Sequence, residues 1–189
     1  MRRVLVLGGV ALAIGLWSTG AAAKPGDAGW AKCVWTSAPA SAEAWLGMKM
    51  PTAQTPFTDP ASLLGHKLIA LCEAGAADPL KPNRTPKWDS LAAALRSAKS
   101  GAAAPASAPG VTVAFCESST QGGEQPGIFL HEVVRRQGER ETVSFRQYYI
   151  EHEGKLVKLP QDLRKVVGDG TPVQRSCRTI GAQGELADA

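Results

Sequence analysis

The sequence predicts an α+β protein, with a segment of about four helices followed by an antiparallel β-meander of about five strands and one short helix. Three observations predict it. Apolar residues recur at spacings of three and four up to Leu95, the periodicity changes to two from Val111 onward, and the low-complexity stretch GAAAPASAPG at residues 101–110 lies between them. The most informative stretch is RETVSFRQYYIEHEGKLVKL at residues 140–159, which reads as two strands joined at Glu153-Gly154, where glycine accepts a positive φ without steric cost. On its first strand Val143, Phe145, Gln147 and Tyr149 fall on one side and Ser144, Arg146, Tyr148 and Ile150 on the other. Leu156 and Leu159 on the return are available for a core.

At the start of the chain, Met1-Arg2-Arg3 is basic, Val4 to Trp17 is uncharged and mostly apolar, and Ala21-Ala22-Ala23 supplies small residues for signal peptidase. The apolar run is shorter than the roughly 20 residues that cross a bilayer. Residues 1–23 are therefore read as a secretory signal peptide, and the mature chain as soluble, without a membrane span, in the periplasm or secreted. No cysteine near the cleavage site marks a lipid anchor. Cleavage leaves 166 residues, one ordinary domain or two very small ones, and the loss of Arg2 and Arg3 lowers the net charge from +4 to +2. So mild a balance lacks the footprint of a nucleic-acid binder.

The helical segment, residues 24–100, opens with a helix capped by Asp27 and carrying Trp30, Cys33 and Val34 on one stripe. Ser37 and Pro39 start a second, with Ala42, Trp45 and Leu46 before Gly47. After the Pro- and Thr-rich connection at 48–58, Asp59 caps the third and Pro60 occupies its first turn. Leu64, Leu68, Leu71 and Cys72 follow at helical spacing until Gly75 ends it. Thr85-Pro86 opens a fourth, carrying Trp88, Leu91 and Leu95, with Gly101 beyond its end.

Residues 101–110 contain no large side chain and read as a linker. Beyond it, in the β segment at 111–180, Val111, Val113 and Phe115 alternate with Thr112, Ala114 and Cys116 in a half-buried strand. A polar loop spans 118–127, a second strand runs over 128–136, and Gln137-Gly138 turns into the 140–159 hairpin. Residues 160–167 suit the short helix and 173–180 the last strand, while 181–189 read as a disordered tail.

All four cysteines, Cys33, Cys72, Cys116 and Cys177, follow the leader, and in an oxidising compartment an even set of separated cysteines reads as a disulfide framework. Four cysteines allow three pairings. The composition break between the second and third favours Cys33 with Cys72 and Cys116 with Cys177, one bridge in each segment. A metal role lacks support, because no Cys-x-x-Cys occurs and the six-residue interval from His66 to Cys72 does not place them on one helical face.

The motifs of familiar chemistries are missing: no Gly-x-Ser-x-Gly elbow, His-Glu-x-x-His pair, phosphate-binding loop or dinucleotide fingerprint occurs. His66 and His152 are expected at the solvated surface, and His131 lies on a strand between Leu130 and Glu132. Glu151 and Glu153 share a strand face and, with Glu132, suggest a glycosidase-like carboxylate pair, yet a hairpin end usually solvates such groups. Arg135, Arg136, Arg140, Arg146, Arg164, Lys165, Arg175 and Arg178 suggest an anion-seeking face, but five glutamates from Glu132 to Glu153 interleave with them. A mixed-charge face is the simpler expectation.

Ala31-Lys32-Cys33-Val34 and Leu68-Ile69-Ala70-Leu71-Cys72 resemble the uncharacterised small exported bacterial proteins in which a signal peptide precedes a Cys-Val helix and a second helical cysteine. The sheet segment is loosely similar to small periplasmic inhibitor and accessory modules. Neither resemblance implies an activity. The expectation is an exported soluble protein without catalytic activity, cofactor or metal, which binds an envelope protein or an anionic ligand through its sheet face. Arg146, Tyr148 and Tyr149 are its candidate anchors, because tyrosine and arginine most often carry interfaces. The alternative is a small-ligand binding protein or hydrolase with a pocket between helices and sheet. Trp30, Trp35, Trp45 and Trp88 are its candidate lining, although tryptophans at helical spacing usually belong to a core. A cavity with convergent polar groups favours the second reading, and a filled core with an exposed Tyr and Arg face the first.

Overall fold

The structure, a computed structural model, describes residues 25–72, 86–99, 110–120, 128–159 and 174–188. The expected signal peptide, the linker up to residue 109, the 160–167 helix and Gly75 lie outside them. Four helices come first: α1 (Pro25–Ser37), α2 (Pro39–Gly47), α3 (Pro60–Cys72) and α4 (Trp88–Ala98). Six strands follow: β1 (Val111–Thr120), β2 (Ile128–Gln137), β3 (Arg140–His152), β4 (Lys155–Lys158), β5 (Gln174–Ile180) and β6 (Leu186–Asp188). They form one antiparallel sheet in the order β4-β3-β2-β1-β5-β6. The α+β class and the order of helices before strands are as the sequence predicts.

Helix α3 begins where expected, because the Asp59 carboxylate accepts hydrogen bonds from the backbone N–H of Ala61 at 2.9 Å and of Ser62 at 3.4 Å. It is apolar on two sides, and so it lies inside the molecule. Leu64 and Leu68 pack with Trp30, Val34, Trp45 and Leu95 of the other helices, whereas Leu63 and Ala70 pack with Val113, Phe115, Val133, Phe145 and Ile180 of the sheet. Helical segment and sheet thus share their buried surface through this one helix.

Three indoles bind the helices to one another. Trp30 Nε1 donates to the Leu68 carbonyl at 3.0 Å, Trp35 Nε1 to that of Leu95 at 2.8 Å, and Trp45 Nε1 to that of Ala61 at 2.9 Å. Each ring is buried, so its single polar atom needs a partner, and a carbonyl of a neighbouring helix supplies it. Gly65 lets two of the rings reach α3: a Cβ there would stand 2.6 Å from the Trp88 ring and 3.0 Å from Trp45 Nε1. The tryptophans are core, as helical spacing predicts.

Both disulfides form as expected. Cys33–Cys72 ties α1 to α3, and Cys116–Cys177 joins directly opposed residues of β1 and β5. They close sequence separations of 39 and 61 residues, which in the loop-entropy picture stabilises the fold by about 4 kcal/mol each. The β3–β4 turn also falls where predicted, with φ of 50° at Glu153 and 73° at Gly154, the left-handed pair that a two-residue hairpin requires.

Four local expectations are corrected. Helix α1 starts at Pro25, so Asp27 lies within it rather than capping it. Ser37 is the last residue of α1, and Ala38 precedes α2 without a side-chain cap. A register shift between Val133 and Val134 places Val143 opposite Val134, so Val143 joins Ala114, Cys116 and Cys177 rather than the Phe145 side. The stretch expected as a disordered tail supplies β6, which pairs with β5. Its turn is anchored from α3, where Lys67 Nζ donates to the Gly181 carbonyl at 2.8 Å, and Gly184, at φ +84°, lies where any Cβ would collide with the Pro60 carbonyl.

Two outcomes are expected. Gly65→Ala lowers the unfolding free energy by about 1–3 kcal/mol, because the indoles must shift or strain. The measurement is the urea midpoint at constant m-value, and an unmoved midpoint would show that Trp45 and Trp88 can withdraw freely. Thiol titration of the unfolded, oxidised protein finds no reactive thiol, and after reduction it finds four.

Candidate binding cavity

The connection between α2 and α3 folds back over the sheet. The Thr52 N–H donates to Thr55 Oγ1 at 2.8 Å and the Asp59 N–H to the Pro56 carbonyl at 3.1 Å, two successive turns that drive Phe57 inward. Phe57 stacks on Phe145 with centroids 5.0 Å apart, and His66 lies 3.9 Å from Phe145 and 5.0 Å from Trp88. Between this connection, α3 and strands β2 to β4 lies a cavity of about 340 Å³. The connection lines it with residues 52–58, the helices with Ser62, His66 and Trp88, and the strands with His131, Phe145, Gln147, Tyr149, Leu156 and Lys158. Its wall is aromatic, with hydroxyls and amides interspersed.

His66 is buried, against the expectation of a surface residue. Leu63, His66 and Ala70 stand at spacings of three and four on the face of α3 that meets the sheet. Burial, with the positive charge of Lys158 adding to it, holds the pKa of His66 down at about 3, so the imidazole is neutral at ordinary pH. His131 points to the same side of the sheet as Phe145. Burial lowers its pKa too, with Glu117 opposing and Arg178 assisting. Its Nε2 faces Glu117 Oε1 at 3.4 Å, while Arg178 donates to the other Glu117 oxygen at 2.8 Å. The Nδ1 of His131 is buried and has no hydrogen-bond partner among the described residues.

Tyr149 also belongs to this side. Burial pushes its phenol up to about 12, a backbone hydrogen bond from Phe57 opposing the shift, and that bond ties the connection to β3. Arg146 and Tyr148 project to the opposite face. The three candidate anchors therefore do not form one patch. Arg146 reaches Glu132 at 2.6 and 2.7 Å and also hydrogen-bonds the Tyr148 side chain. Arg175 bridges Glu132 at 3.3 Å and Glu141 at 2.6 Å, and Arg136 completes the chain to Glu141 at 3.0 Å. Burial works against the charge of Glu141, but hydrogen bonds from Arg175 and Arg136 hold its pKa below the usual carboxylate value. Arg146, Arg175 and Arg136 thus share this face with Glu132 and Glu141, Glu132 being buried rather than solvated. Arg135 and Arg178 lie on the opposite side, across from Val113 and Phe115, and Arg164 and Lys165 fall outside the described residues.

The proposed carboxylate site is not assembled. Glu151 and Glu153 are exposed at the hairpin end, whereas Glu132 lies opposite Arg146, five residues back along β3 and on the order of 17 Å away. His152 is exposed, as expected. Of the four candidate lining tryptophans, only Trp88 borders the cavity. Phe57, His66, His131, Gln147 and Lys158 were not legible as lining residues from spacing alone, although the histidine among apolar neighbours on α3 was a usable signal. No protein-family model matches the chain, and comparison with curated proteins and with solved structures also finds no match.

Stability is expected to fall with acid through these histidines. Above pH 6.5 His66 is neutral folded and unfolded; between 6.5 and about 3 the unfolded chain takes up a proton that the folded chain refuses. The unfolding free energy therefore drops by up to about 1.4 kcal/mol per pH unit for each such histidine as pH falls below 6.5. His131 acts in the same direction. Denaturant unfolding from pH 7.5 to 5 measures the slope. His66→Phe is expected to flatten it, and an equal slope in that variant would remove His66 as its source.

Proposed function

We propose that this protein is an exported, non-catalytic binding protein that takes a small ligand into the cavity between α3, the 52–58 connection and strands β2 to β4. The observation that carries this reading is the cavity itself, a half-open cleft walled by aromatic rings on which hydroxyl, amide and imidazole groups converge. Its volume lies in the range of small-molecule sites, roughly 300–1,000 Å³. The buried Nδ1 of His131, which has no hydrogen-bond partner among the described residues, supports the same reading, since a ligand group in the cavity would satisfy it.

The histidines favour binding over proton transfer. A general base works best with a pKa near the operating pH, and His66 at about 3 is far too weakly basic. The reading of a partner docked on the sheet face loses support, because Arg146 and Arg175 are already committed to Glu132. Export is supported by the two disulfides, which fit an oxidising compartment, and by the leader-like start of the sequence.

Native mass spectrometry of protein purified from its own host tests the proposal. A retained small molecule is expected, and Leu156→Trp, which crowds the cavity from an exposed position on β4, is expected to lose it with little change in melting temperature. A bare wild-type mass, combined with no stabilising compound in a small-molecule thermal-shift screen, would overturn the reading.

A further inference from the structure

Among the described residues of the cavity wall the charge is of one sign. Among the described lining residues Lys158 is the only side chain charged at neutral pH, and none of them is an aspartate or glutamate. Lys158 pairs with Tyr149 across β3 and β4, so its side chain stands on the cavity side of the sheet. Its ammonium acts inward, since its charge is felt by the buried imidazole of His66. Among the described residues no carboxylate pairs with it. A cation in such a wall, with no acid beside it among the described residues, favours an anion over a neutral molecule of the same shape. The two histidines add no competing charge, because burial keeps both of them toward the neutral form.

The rest of the wall describes the body of the ligand. Phe57 and Phe145 stack with planes 14° apart, and Trp88 meets His66 edge to face at 80°. The faces of Phe57 and Phe145 are largely taken up by each other and by His66, so the rings border the cavity with the narrow part of their surface that stays uncovered, an apolar margin against which the edge of a flat group can rest. Threonines of the connection and the Gln147 amide leave room for polar substituents but supply no second charge.

We propose that the cavity selects a small organic carboxylate with an aromatic body, its carboxylate at Lys158 and its ring against Phe57, Phe145 and Trp88. This rests on the reading of the cavity as a ligand site. It adds a sign of charge and a shape that the reading alone does not require.

The test is isothermal titration of the full oxidised chain with 2-naphthoate and with the neutral, near-isosteric 2-naphthamide. The acid is expected to bind at least tenfold tighter than the amide, the range for a hydrogen bond to a charged group being on the order of tenfold to a hundredfold. Lys158→Met is expected to erase that difference by weakening the acid. Lys158 is on an exposed edge strand, and an unaltered thermal melt shows that the variant is folded. Equal binding of acid and amide overturns the selectivity while the cavity reading stands. Preference for the acid that survives in Lys158→Met overturns the assignment to Lys158. If neither probe binds the wild type, the aromatic-carboxylate inference is overturned, while the cavity reading is decided separately by the native mass and the thermal-shift screen.

Discussion

Helix α3 has to be buried on two sides at once, and most of the architecture follows from that requirement. One side meets the indoles of α1, α2 and α4, and the other meets the inner face of the sheet. A helix in this position cannot spread its polar groups to water, so each is dealt with locally. Asp59 caps its first turn, Lys67 extends to the Gly181 carbonyl, and His66 gives up its proton. Gly65 supplies the close approach without which Trp45 and Trp88 could not both reach the helix. Cys72, at its end, is bonded to Cys33 of α1, which fixes the helix against sliding.

The two faces of the sheet solve different electrostatic problems. The inner face carries few charges: Glu117 is held by Arg178 and faces His131, and Lys158 stands at its edge beside the cavity. The outer face carries several, but they neutralise one another along the chain Arg146, Glu132, Arg175, Glu141 and Arg136. A buried carboxylate with two guanidinium partners is costly to disrupt, since either loss leaves a charge without compensation. The inner face, where Phe57 folds over β3 without filling the space, is where the molecule retains room for something else.

Much of the fold was legible, for identifiable reasons. Helix periodicity, the Asp59-Pro60 start, the Glu153-Gly154 turn and the separation of the cysteines into two segments are local signals, and each corresponds to a feature of the structure. The misreadings arose where local pattern met a neighbour. Alternation along β3 would keep Val143 with Phe145, but one extra residue in the strand reverses it. The last residues look too small and polar to order, yet β5 offers an open edge and α3 a lysine to hold their turn. His66 beside Lys67 looks like a surface pair, because nothing in the sequence states that a sheet will cover that side of the helix.

The amino-acid sequence by itself determined the class of fold and the order of its elements and favoured one pairing of its cysteines, because these depend on side-chain period, turn chemistry and the spacing of a few residues along the chain. Only the tertiary structure decided which residues share the cavity. Phe57, His66, His131 and Lys158 come from four separate stretches, and their proximity is produced by the packing of α3 on the sheet and the return of the 52–58 connection above it. The protonation of His66 was settled at the same level, since the withdrawal of water and the nearby charge of Lys158 exist only once those stretches have met.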